Sequence, residues 1–536
     1  MDLADLVGEV EVVAFAVPLV LRWMVSWFLH KRLCGPQANP RTTSPIPPVA
    51  PNSKLIATTL KRRLGQTSIS RCRVIRSQKL DYSRLRILIP GIYNESSLGK
   101  FFIQNFGCRA TQADGAALQS LLAAKGLDPA GRRIAADLVV LNTCTVTASA
   151  DEDVRQTIRR VHRENPAARI LVTGCYAQRA PEELAALPGV EWVVGNSHKT
   201  EIADLVTSAP YHGNIHVGDI FAQRDFLSAP VEDAAADRTR PNLKIQDGCN
   251  NRCSFCIIPF VRGRSRSAPP DQVVKQVRGL AQRYREVVLS GINLGRWGRE
   301  PGTRNGPSAR LADLVRRLLA ETDVERLRFS SVEPMDFSDD LLGLMASSSR
   351  IAKHVHAPLQ SGSDRILRRM HRKYRPRHYA DRIQAARALM PDAAIGADVM
   401  VGFPGETEAD FEESRQFIES LPFTYLHVFT YSERPGTPAA TDPNPVPLGV
   451  RKLRNRILRE LAAAKNLSFR KRMIGQTLSA LTLHERGAAL SENYLKVALA
   501  HDREPNRIVD LKIGGLEEGG VREVTSPAGL PWLLRS

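Results

Sequence analysis

The stretch DGCNNRCSFCIIP, Asp247 to Pro259, places three cysteines within eight residues near the middle of a 536-residue chain. The stretch Leu243 to Asp247 predicts a strand that leads into this loop. The cysteines, Cys249, Cys253 and Cys256, have the spacing C-x3-C-x2-C. Structural zinc sites use four ligands, and complete ferredoxin sites supply four cysteines. Three thiolates on one loop therefore predict a 4Fe-4S cluster with one iron left open to another ligand.

Strand and helix patterns alternate beyond this loop, which favours a partial (β/α) barrel. Each predicted strand is followed by a polar or glycine-bearing segment, and in a barrel these segments line the same mouth as the cysteine loop. The predicted strands are Glu286 to Ser290, Leu327 to Val332, Val355 to Leu359, Ala397 to Val401 and Leu426 to Tyr431.

The preceding region shows a second cysteine pattern. Three apolar runs, residues 101–108, 137–144 and 169–175, each predict a buried strand and end in a cysteine, and amphipathic stretches lie between them. This is typical of a parallel α/β sheet, in which the carboxyl ends of the strands meet at one edge. We therefore expect Cys108, Cys144 and Cys175 to converge on a shared metal or iron-sulfur site.

The first ninety residues differ from the rest of the chain. Residues 12–29 are strongly apolar but contain Pro18 and Arg22 and follow an acidic start, so we expect neither a signal peptide nor a membrane span. The Pro/Ser/Arg-rich stretch after them is typical of disorder. An alternative is that translation starts later and that residues 1–99 are not part of the working protein.

The charge and the cysteine usage indicate partner and compartment. The formal net charge is +19; residues 31–89 carry +12 and residues 1–30 carry −3, so the rest of the chain carries +10. An excess of this size favours a polyanionic partner such as nucleic acid. Eight cysteines in so long a chain are too few for a disulfide framework, so we expect a reducing cytoplasm.

The C-terminal part combines a basic helix with a small all-β unit. Residues 448–473 predict a basic amphipathic helix that includes Arg470 and Lys471, and short alternating runs from Gln476 onward predict a small β-barrel. Small barrels often bind oligonucleotides, with aromatic residues such as Tyr494 available for stacking. The alternative is a barrel that only caps the fold.

Over roughly residues 100–536 the chain resembles the radical S-adenosylmethionine (radical SAM) methylthiotransferases. The resemblance rests on the three-cysteine N-terminal region, the C-x3-C-x2-C loop and a C-terminal region like a TRAM domain. The motifs NTCTVT, GCYAQ, CSFCIIP and HAPLQSGSD are most similar to those of the branch that acts on N6-threonylcarbamoyladenosine beside the tRNA anticodon. One departure is Thr111, where the family usually has Asn three residues after the first cysteine.

The resemblance implies a fold class and domain boundaries. The fold class is α/β, with a parallel N-terminal α/β domain, a central partial (β/α) barrel and a small C-terminal β-barrel. We expect an N-terminal extension at residues 1–99, a methylthiotransferase N-terminal domain at 100–225, a radical SAM domain at 235–470 and a TRAM-like domain at 474–536.

The resemblance also implies two 4Fe-4S clusters and S-adenosylmethionine as cofactors. The cluster at Cys249, Cys253 and Cys256 generates a 5′-deoxyadenosyl radical that removes hydrogen from C2 of the modified adenine. A second cluster, at Cys108, Cys144 and Cys175, delivers sulfur. Six residues are expected to contact S-adenosylmethionine, namely Phe255, Ser330, Ser331, Glu333, Gln360 and Gly402. Contacts to the tRNA anticodon loop are expected from Arg262, Arg264, Arg470, Lys471 and Tyr494.

Several alternatives stay open at this point. The substrate could instead be isopentenylated tRNA adenosine or an aspartate of a ribosomal protein. From another class, the chain could be a non-catalytic RNA-binding iron-sulfur protein or a zinc-stabilised RNA-binding module. The reductant and the sulfur donor are not identified by the sequence.

Overall fold

The structure is a computed structural model that describes residues 99–207, 214–223, 239–300 and 310–525. The apolar segment 12–29 and the basic stretch after it lie outside the described residues. Within the described ranges, no helix is both long and apolar enough to cross a membrane.

The N-terminal region is a six-stranded sheet in the order β2-β1-β3-β4-β5-β6, with every neighbouring pair parallel. Its strands are β1 (Lys100–Asn105), β2 (Asp128–Pro129), β3 (Leu138–Thr143), β4 (Arg169–Gly174), β5 (Val190–Gly195) and β6 (Ile215–His216). Its helices are α1 (Arg109–Ala124), α2 (Ala148–Glu164), α3 (Cys175–Arg179), α4 (Pro181–Ala185) and α5 (Ile202–Thr207).

The middle strand β3 explains the uninterrupted apolar runs of this region. Leu138 and Val140 pack into an apolar cluster on one face of the sheet, and Val139 and Leu141 pack into a cluster on the other face. Helices cover both faces, so every position of the strand is buried. The sheet therefore exposes its functional groups only at the strand ends.

The central region has seven strands in two sheets, in the orders β10-β9-β7-β8 and β11-β12-β13. A parallel bridge between Leu327 and Ile351 joins the two sheets. The strands are β7 (Asn242–Asp247), β8 (Arg266–Ser267), β9 (Glu286–Gly291), β10 (Arg326–Phe329), β11 (His354–His356), β12 (Ala394–Val401) and β13 (Tyr425–Thr430). The helices are α6 (Ile258–Arg262), α7 (Pro270–Ala281), α8 (Leu311–Glu321), α9 (Asp339–Ser347), α10 (Asp364–Arg369), α11 (Pro376–Leu389) and α12 (Glu408–Ser420).

The largest apolar core lies between these strands and their helices. On β12, Ile395, Ala397, Val399 and Val401 belong to this core, while Asp398 and Met400 point to the opposite side. The side away from the helices is the lumen of the partial barrel. The alternation follows from the two-residue period of a strand.

A long basic helix and a closed barrel complete the chain. The helix is α13 (Leu448–Arg472), which packs along β13. The barrel has the strand order β14-β15-β16-β18-β17 and closes on itself. Its strands are β14 (Thr477–Thr482), β15 (Ala488–Ser491), β16 (Lys496–Ala498), β17 (Ile508–Glu517) and β18 (Gly520–Glu523).

The predicted fold class is confirmed in all three regions. Two predicted strands end earlier than expected: Val355 to Leu359 ends at His356, and Leu327 to Val332 ends at Phe329. The chain leaves the sheet there and continues into the segment that contains Ser330, Ser331 and Glu333.

A buried arginine attaches the C-terminal barrel to the central strands β9 and β10. Arg328 binds Glu286 through Nε and Nη2, at 2.7 and 3.1 Å, and both side chains are fully buried. Its Nη1 and Nη2 also donate to the carbonyl oxygens of Glu492 and Ser491 in the C-terminal barrel, each at 3.1 Å. Burial alone raises the pKa of Glu286, but Arg328, Arg240 and Arg326 outweigh it and hold the pKa at about 2.

Replacing Arg328 with Met is expected to lower the free energy of unfolding by about 3–5 kcal/mol, because it leaves Glu286 buried without its main partner. The matched control is Arg507→Met, which breaks an exposed pair with Glu504 and should change the free energy by less than about 0.5 kcal/mol. Urea unfolding at pH 7 under anaerobic conditions measures both. Equal losses in the two variants would contradict the account.

Candidate metal centres at the two cysteine triads

The first triad is the set Cys249, Cys253 and Cys256, on the loop that follows β7. The loop begins at Gly248, whose φ of +70° and whose close approach to Arg264 leave no room for a side chain: a Cβ there would lie 2.0 Å from the Arg264 carbonyl oxygen. The glycine lets the chain turn sharply at the strand end. The three thiols therefore gather at the mouth of the partial barrel, beside the segments that follow the other strands.

Several donors point at the sulfur atoms of the first triad. The backbone N–H of Asn251 lies 3.4 Å from Cys249 Sγ, and Asn293 Nδ2 lies 3.7 Å from the same atom. Arg372 Nη1 lies 3.3 Å from Cys253 Sγ. Hydrogen bonds of this kind stabilise thiolates and the sulfur ligands of clusters.

The second triad is the set Cys108, Cys144 and Cys175, and each member follows a different strand of the N-terminal sheet. Cys108 is the N-cap of α1, Cys144 follows β3 directly, and Cys175 begins α3 after β4. Gly107 has φ of +84°, and a Cβ there would lie 2.7 Å from Cys144 Sγ. This close approach brings the β1–α1 turn onto Cys144, as the sequence predicted for cysteines at neighbouring strand ends.

Both triads have the chemistry of metal ligands. The six cysteines are free thiols. Burial, together with the nearby Cys175 and Cys108, raises the pKa of Cys144 to about 12. Burial likewise raises the pKa of Cys256 to about 12, with Cys253 and Cys249 adding to the effect. Thiols held this high stay protonated at neutral pH, so a bound metal group is what would convert them to thiolates.

The spacing of the thiols favours a cluster over a single zinc ion. Four sulfur ligands around one zinc ion lie roughly 3.8 Å apart, given a Zn–S distance of 2.3 Å. Among the described His, Cys, Asp and Glu residues, only His356, Asp398 and His427 have ligand atoms all within 4.8 Å of one another. In neither cysteine triad do all three sulfur atoms lie within that distance of one another.

A buried ion network joins the two triads. Arg262 has a side chain only 1% exposed; its Nε lies 3.2 Å from Cys175 Sγ, its Nη1 binds Asp247 at 3.0 Å and its Nη2 binds Asp114 at 3.1 Å. Lys199 and Lys244 also bind Asp114. The cations hold the pKa of Asp114 below its usual value, although burial acts in the opposite direction.

Thr111 occupies the position at which the sequence departs from the family. Its side chain is fully buried, and its Oγ1 lies 3.5 Å from Cys108 Sγ and 3.4 Å from Arg262 Nη2. The hydroxyl therefore links one cysteine of the second triad to the arginine that contacts another. A side chain of this size and polarity takes part in the network even though it is not Asn.

The residues expected to contact S-adenosylmethionine lie around the mouth of the barrel. Phe255 packs edge to face on Phe403, with ring centroids 6.4 Å apart. Glu333 binds Arg372, the same arginine that contacts Cys253. Gly402 has φ of +73° and donates to Glu406 at 3.0 Å.

The remaining three are held differently. Gln360 has φ of +66°, and its backbone N–H donates to the carbonyl oxygen of Asp398 at 2.8 Å. The Oγ of Ser330 is a buried atom with no hydrogen-bond partner in the described part of the chain. Ser331 is half-buried in the segment after β10. Their contacts to the cofactor stay predictions.

The residues expected to contact RNA are in very different surroundings. Arg264 and Lys471 are exposed. Arg470 Nη1 donates to the carbonyl oxygens of Glu517 and Gly520, so it ties α13 to the last hairpin of the C-terminal barrel. The placement of Arg262 corrects its expected role: this side chain is buried against Cys175 and two carboxylates and does not face solvent.

Tyr494 is also engaged within the protein. Its ring stacks on His354 with centroids 4.3 Å apart, and the Arg328 guanidinium lies 5.5 Å from its centroid. Its hydroxyl accepts from Arg109 Nη2 at 3.3 Å. The ring thus lies at the junction between the central region and the C-terminal barrel.

Sequence reasoning missed the polar partners of the cysteines. Arg372 is one of many basic residues in its segment, and Asp114 is an ordinary acidic residue of an amphipathic helix. Arg372 contacts a cysteine 119 positions away, and Arg262 contacts one 87 positions away. No local pattern in the sequence marks such contacts.

Two family descriptions match the chain. One is the uncharacterized protein family UPF0004, over residues 100–195, and the other is the radical SAM superfamily, over residues 243–418. The chain is 37% identical to the threonylcarbamoyladenosine tRNA methylthiotransferase MtaB of Aquifex aeolicus over 417 residues, which cover 77% of this chain and 100% of that protein. This chain belongs to the radical SAM methylthiotransferase family. Membership implies one 4Fe-4S cluster and S-adenosylmethionine, and the resemblance stated above is confirmed.

Other relatives of this methylthiotransferase fall in two groups. The enzyme named MtaB from Bacillus subtilis is 41% identical over 345 residues, which cover 62% of this chain and 74% of that protein. A tRNA-2-methylthio-N(6)-dimethylallyladenosine synthase of Novosphingobium aromaticivorans is 35% identical and covers 71% of this chain and 86% of its own. Among solved structures, the radical SAM methyltransferase TsrM of Kitasatospora setae aligns with a TM-score of 0.46 at 16% identity, over 64% of this chain and 75% of that one.

Replacing Thr111 with Val should lower the free energy of unfolding by about 1–2 kcal/mol, because Arg262 loses a buried acceptor. Thr157→Val is the matched control: its hydroxyl caps a carbonyl oxygen on the exposed side of α2, and its loss should cost less than about 0.5 kcal/mol. Urea unfolding of the iron-free proteins under reducing conditions measures both. A Thr111→Val protein as stable as the parent would show that the hydroxyl contributes nothing to the network.

Proposed function

We propose that this methylthiotransferase installs a 2-methylthio group on N6-threonylcarbamoyladenosine next to the tRNA anticodon. The observation that carries the proposal is the presence of two cysteine triads in one compact unit, joined through the buried network of Arg262. Relatives whose names specify this activity support the choice of substrate, and they cover 74% to 100% of their own length. The runner-up substrate is the isopentenyl-type adenosine named for other relatives.

The first triad is proposed to hold the 4Fe-4S cluster that works with S-adenosylmethionine. When bound, the cluster and S-adenosylmethionine together supply a one-electron cleavage that yields a 5′-deoxyadenosyl radical. The protein supplies three sulfur ligands and donors to them, of which Arg372 carries a full positive charge. Phe255, Ser330, Ser331, Glu333, Gln360 and Gly402 are proposed to position S-adenosylmethionine at the mouth of the barrel.

The second triad, Cys108, Cys144 and Cys175, is proposed to hold a second 4Fe-4S cluster as the source of sulfur. Arg262 would offset the negative charge of the thiolates, since its Nε already lies beside Cys175. Cys108 is the exposed member, so the side on which it lies is open to a substrate. The reductant and the sulfur donor are proposed partners whose identity is open.

The three regions would divide the work. We assign cluster-bound sulfur to residues 100–225, radical formation to 235–470 and RNA contact to 474–536 together with α13. Arg264 and Lys471 are exposed and could reach phosphates, a contribution that weakens with salt. Arg470 and Tyr494 would act by holding the C-terminal barrel in place for the anticodon loop. Free thiols at both triads fit a reducing cytoplasm.

Deleting the gene is expected to abolish 2-methylthio-N6-threonylcarbamoyladenosine and to leave its unmethylthiolated precursor. Mass spectrometry of nucleosides from total tRNA measures both, and the parent chain expressed from a plasmid should restore the product. Loss of the isopentenyl-type product instead would select the runner-up substrate. An unchanged tRNA profile would contradict both tRNA substrates and leave the ribosomal-protein aspartate.

Substituting one cysteine of each triad should separate the two roles. Cys249→Ala is expected to lower bound iron from about eight to about four per chain and to abolish 5′-deoxyadenosine formation. Cys144→Ala should lose as much iron but keep 5′-deoxyadenosine formation while making no methylthiolated product. Iron and sulfide analysis with product chromatography measures this. A reconstituted parent that binds iron and never forms 5′-deoxyadenosine would favour the non-catalytic RNA-binding alternative, and zinc in place of iron would favour the structural one.

A further inference from the structure

A polar cluster separate from both cysteine triads lies in the lumen of the partial barrel. Its members are His356, Asp398 and His427, on the neighbouring strands β11, β12 and β13. Asp398 Oδ1 lies 3.2 Å from His356 Nε2 and 3.1 Å from His427 Nδ1. Asp398 and His427 are paired in register, and the His427 side chain is 52% exposed.

The cluster lies below the mouth at which S-adenosylmethionine is expected. Asp398 lies within β12, and Gly402 follows the last residue of that strand, so the two are about 13 Å apart along the strand direction. Between them, on the same face as Asp398, lies Met400, paired in register with Phe429, which is 46% exposed. The lumen therefore has an accessible aromatic ring, Phe429, nearer the mouth, and an accessible imidazole, His427, two residues further from the mouth on the same strand.

The hydrogen bonds of the cluster have a definite direction. The neighbouring histidines hold the pKa of Asp398 below its usual value despite its burial, so it is an acceptor only. His427 must donate to it from Nδ1, and His356 from Nε2. His356 Nδ1 then accepts from the hydroxyl of Tyr425, at 2.8 Å, and this hydroxyl accepts from His354 Nε2, at 2.7 Å.

This series of hydrogen bonds begins at His354, which lies near two arginines, and ends at His427. His354 stacks on Tyr494, and Arg109 and Arg328 both lie against Tyr494. Tyr425 is held over the strand by Gly396, where a Cβ would lie 2.0 Å from the phenol ring. The hydrogen bond to Asp398 uses His427 Nδ1. Its Nε2 lies on the opposite side of a half-exposed ring and is left for a ligand.

We propose that His427, oriented by Asp398, is a specificity-determining residue that donates from Nε2 to the carboxylate of the threonylcarbamoyl group, while Phe429 packs on the adenine. This inference rests on the proposed function. An imidazole between two carboxylates donates from both nitrogens as the imidazolium ion, and charge-assisted hydrogen bonds are the strong ones. An isopentenyl group offers no acceptor, so it would leave this donor unpaired in the lumen.

The test compares anticodon stem-loop RNAs that differ only in the threonine group. Fluorescence anisotropy with the reconstituted holoenzyme should show that the carboxylate RNA binds about 10-fold more tightly than its carboxamide analogue. His427→Gln keeps a neutral donor but loses the charge, so the ratio should fall below about 2-fold. His427→Arg restores a cation and should recover most of the ratio. The matched control is His378→Gln, an exposed histidine on α11, which should keep the 10-fold ratio.

The outcomes separate the inference from the proposed function. A parent protein that binds the threonylcarbamoyl RNA no better than unmodified RNA contradicts the proposed function itself. A parent that prefers the carboxylate RNA, with the same preference in His427→Gln, overturns only the role of His427. One equivalent of a non-iron divalent metal, present in the parent and lost in His427→Gln with the ratio unchanged, also overturns it and assigns the cluster to a cation.

Discussion

The buried guanidinium of Arg262 is the constraint on which the arrangement of this methylthiotransferase depends. It is the last residue of the short helix after the first triad, and it reaches Asp247 at the end of β7, Asp114 on α1 and Cys175 on α3. A charge removed from water is tolerated only where its donors are satisfied. The two cysteine-bearing regions therefore meet with little freedom, because any sliding between them would break several ionic contacts at once.

The same reasoning explains why arginines outside the cysteine-bearing turns stabilise the two triads. Both contain buried thiols whose ionisation is opposed by burial and by one another. Arg262 and Arg372 offset this by lying 3.2 and 3.3 Å from one sulfur atom in each triad. Each arginine is in turn held by a carboxylate, Asp247 for the first and Glu333 for the second. The electrostatic environment of each centre is thus prepared by the fold.

Much of this could be predicted from the sequence, because the features concerned are local. A cysteine directly after an apolar run marks a strand end, and parallel strands bring such ends together, so Cys108, Cys144 and Cys175 were placed correctly at strand ends and the other three on the loop after β7. The surroundings of Arg262 and Tyr494 could not be predicted, for the opposite reason. An arginine near a cluster loop and an aromatic in a small barrel look like RNA contacts, but their surroundings depend on residues 87 to 385 positions away. The lumen histidines went unnoticed because their partners lie on three separate strands.

The junction at Arg328 bears on how the chain can be shortened. The C-terminal barrel supplies the carbonyl oxygens of Ser491 and Glu492 to a guanidinium buried in the central region. It also supplies the ring that covers His354. In a protein cut after α13, the base of the lumen would be exposed to water, and the buried Arg328 would lose two hydrogen-bond acceptors. The barrel is therefore an integral base of the partial-barrel lumen, whatever its contacts to RNA, and exchanging it between relatives would require its contacts to Arg328 and His354 to be exchanged as well.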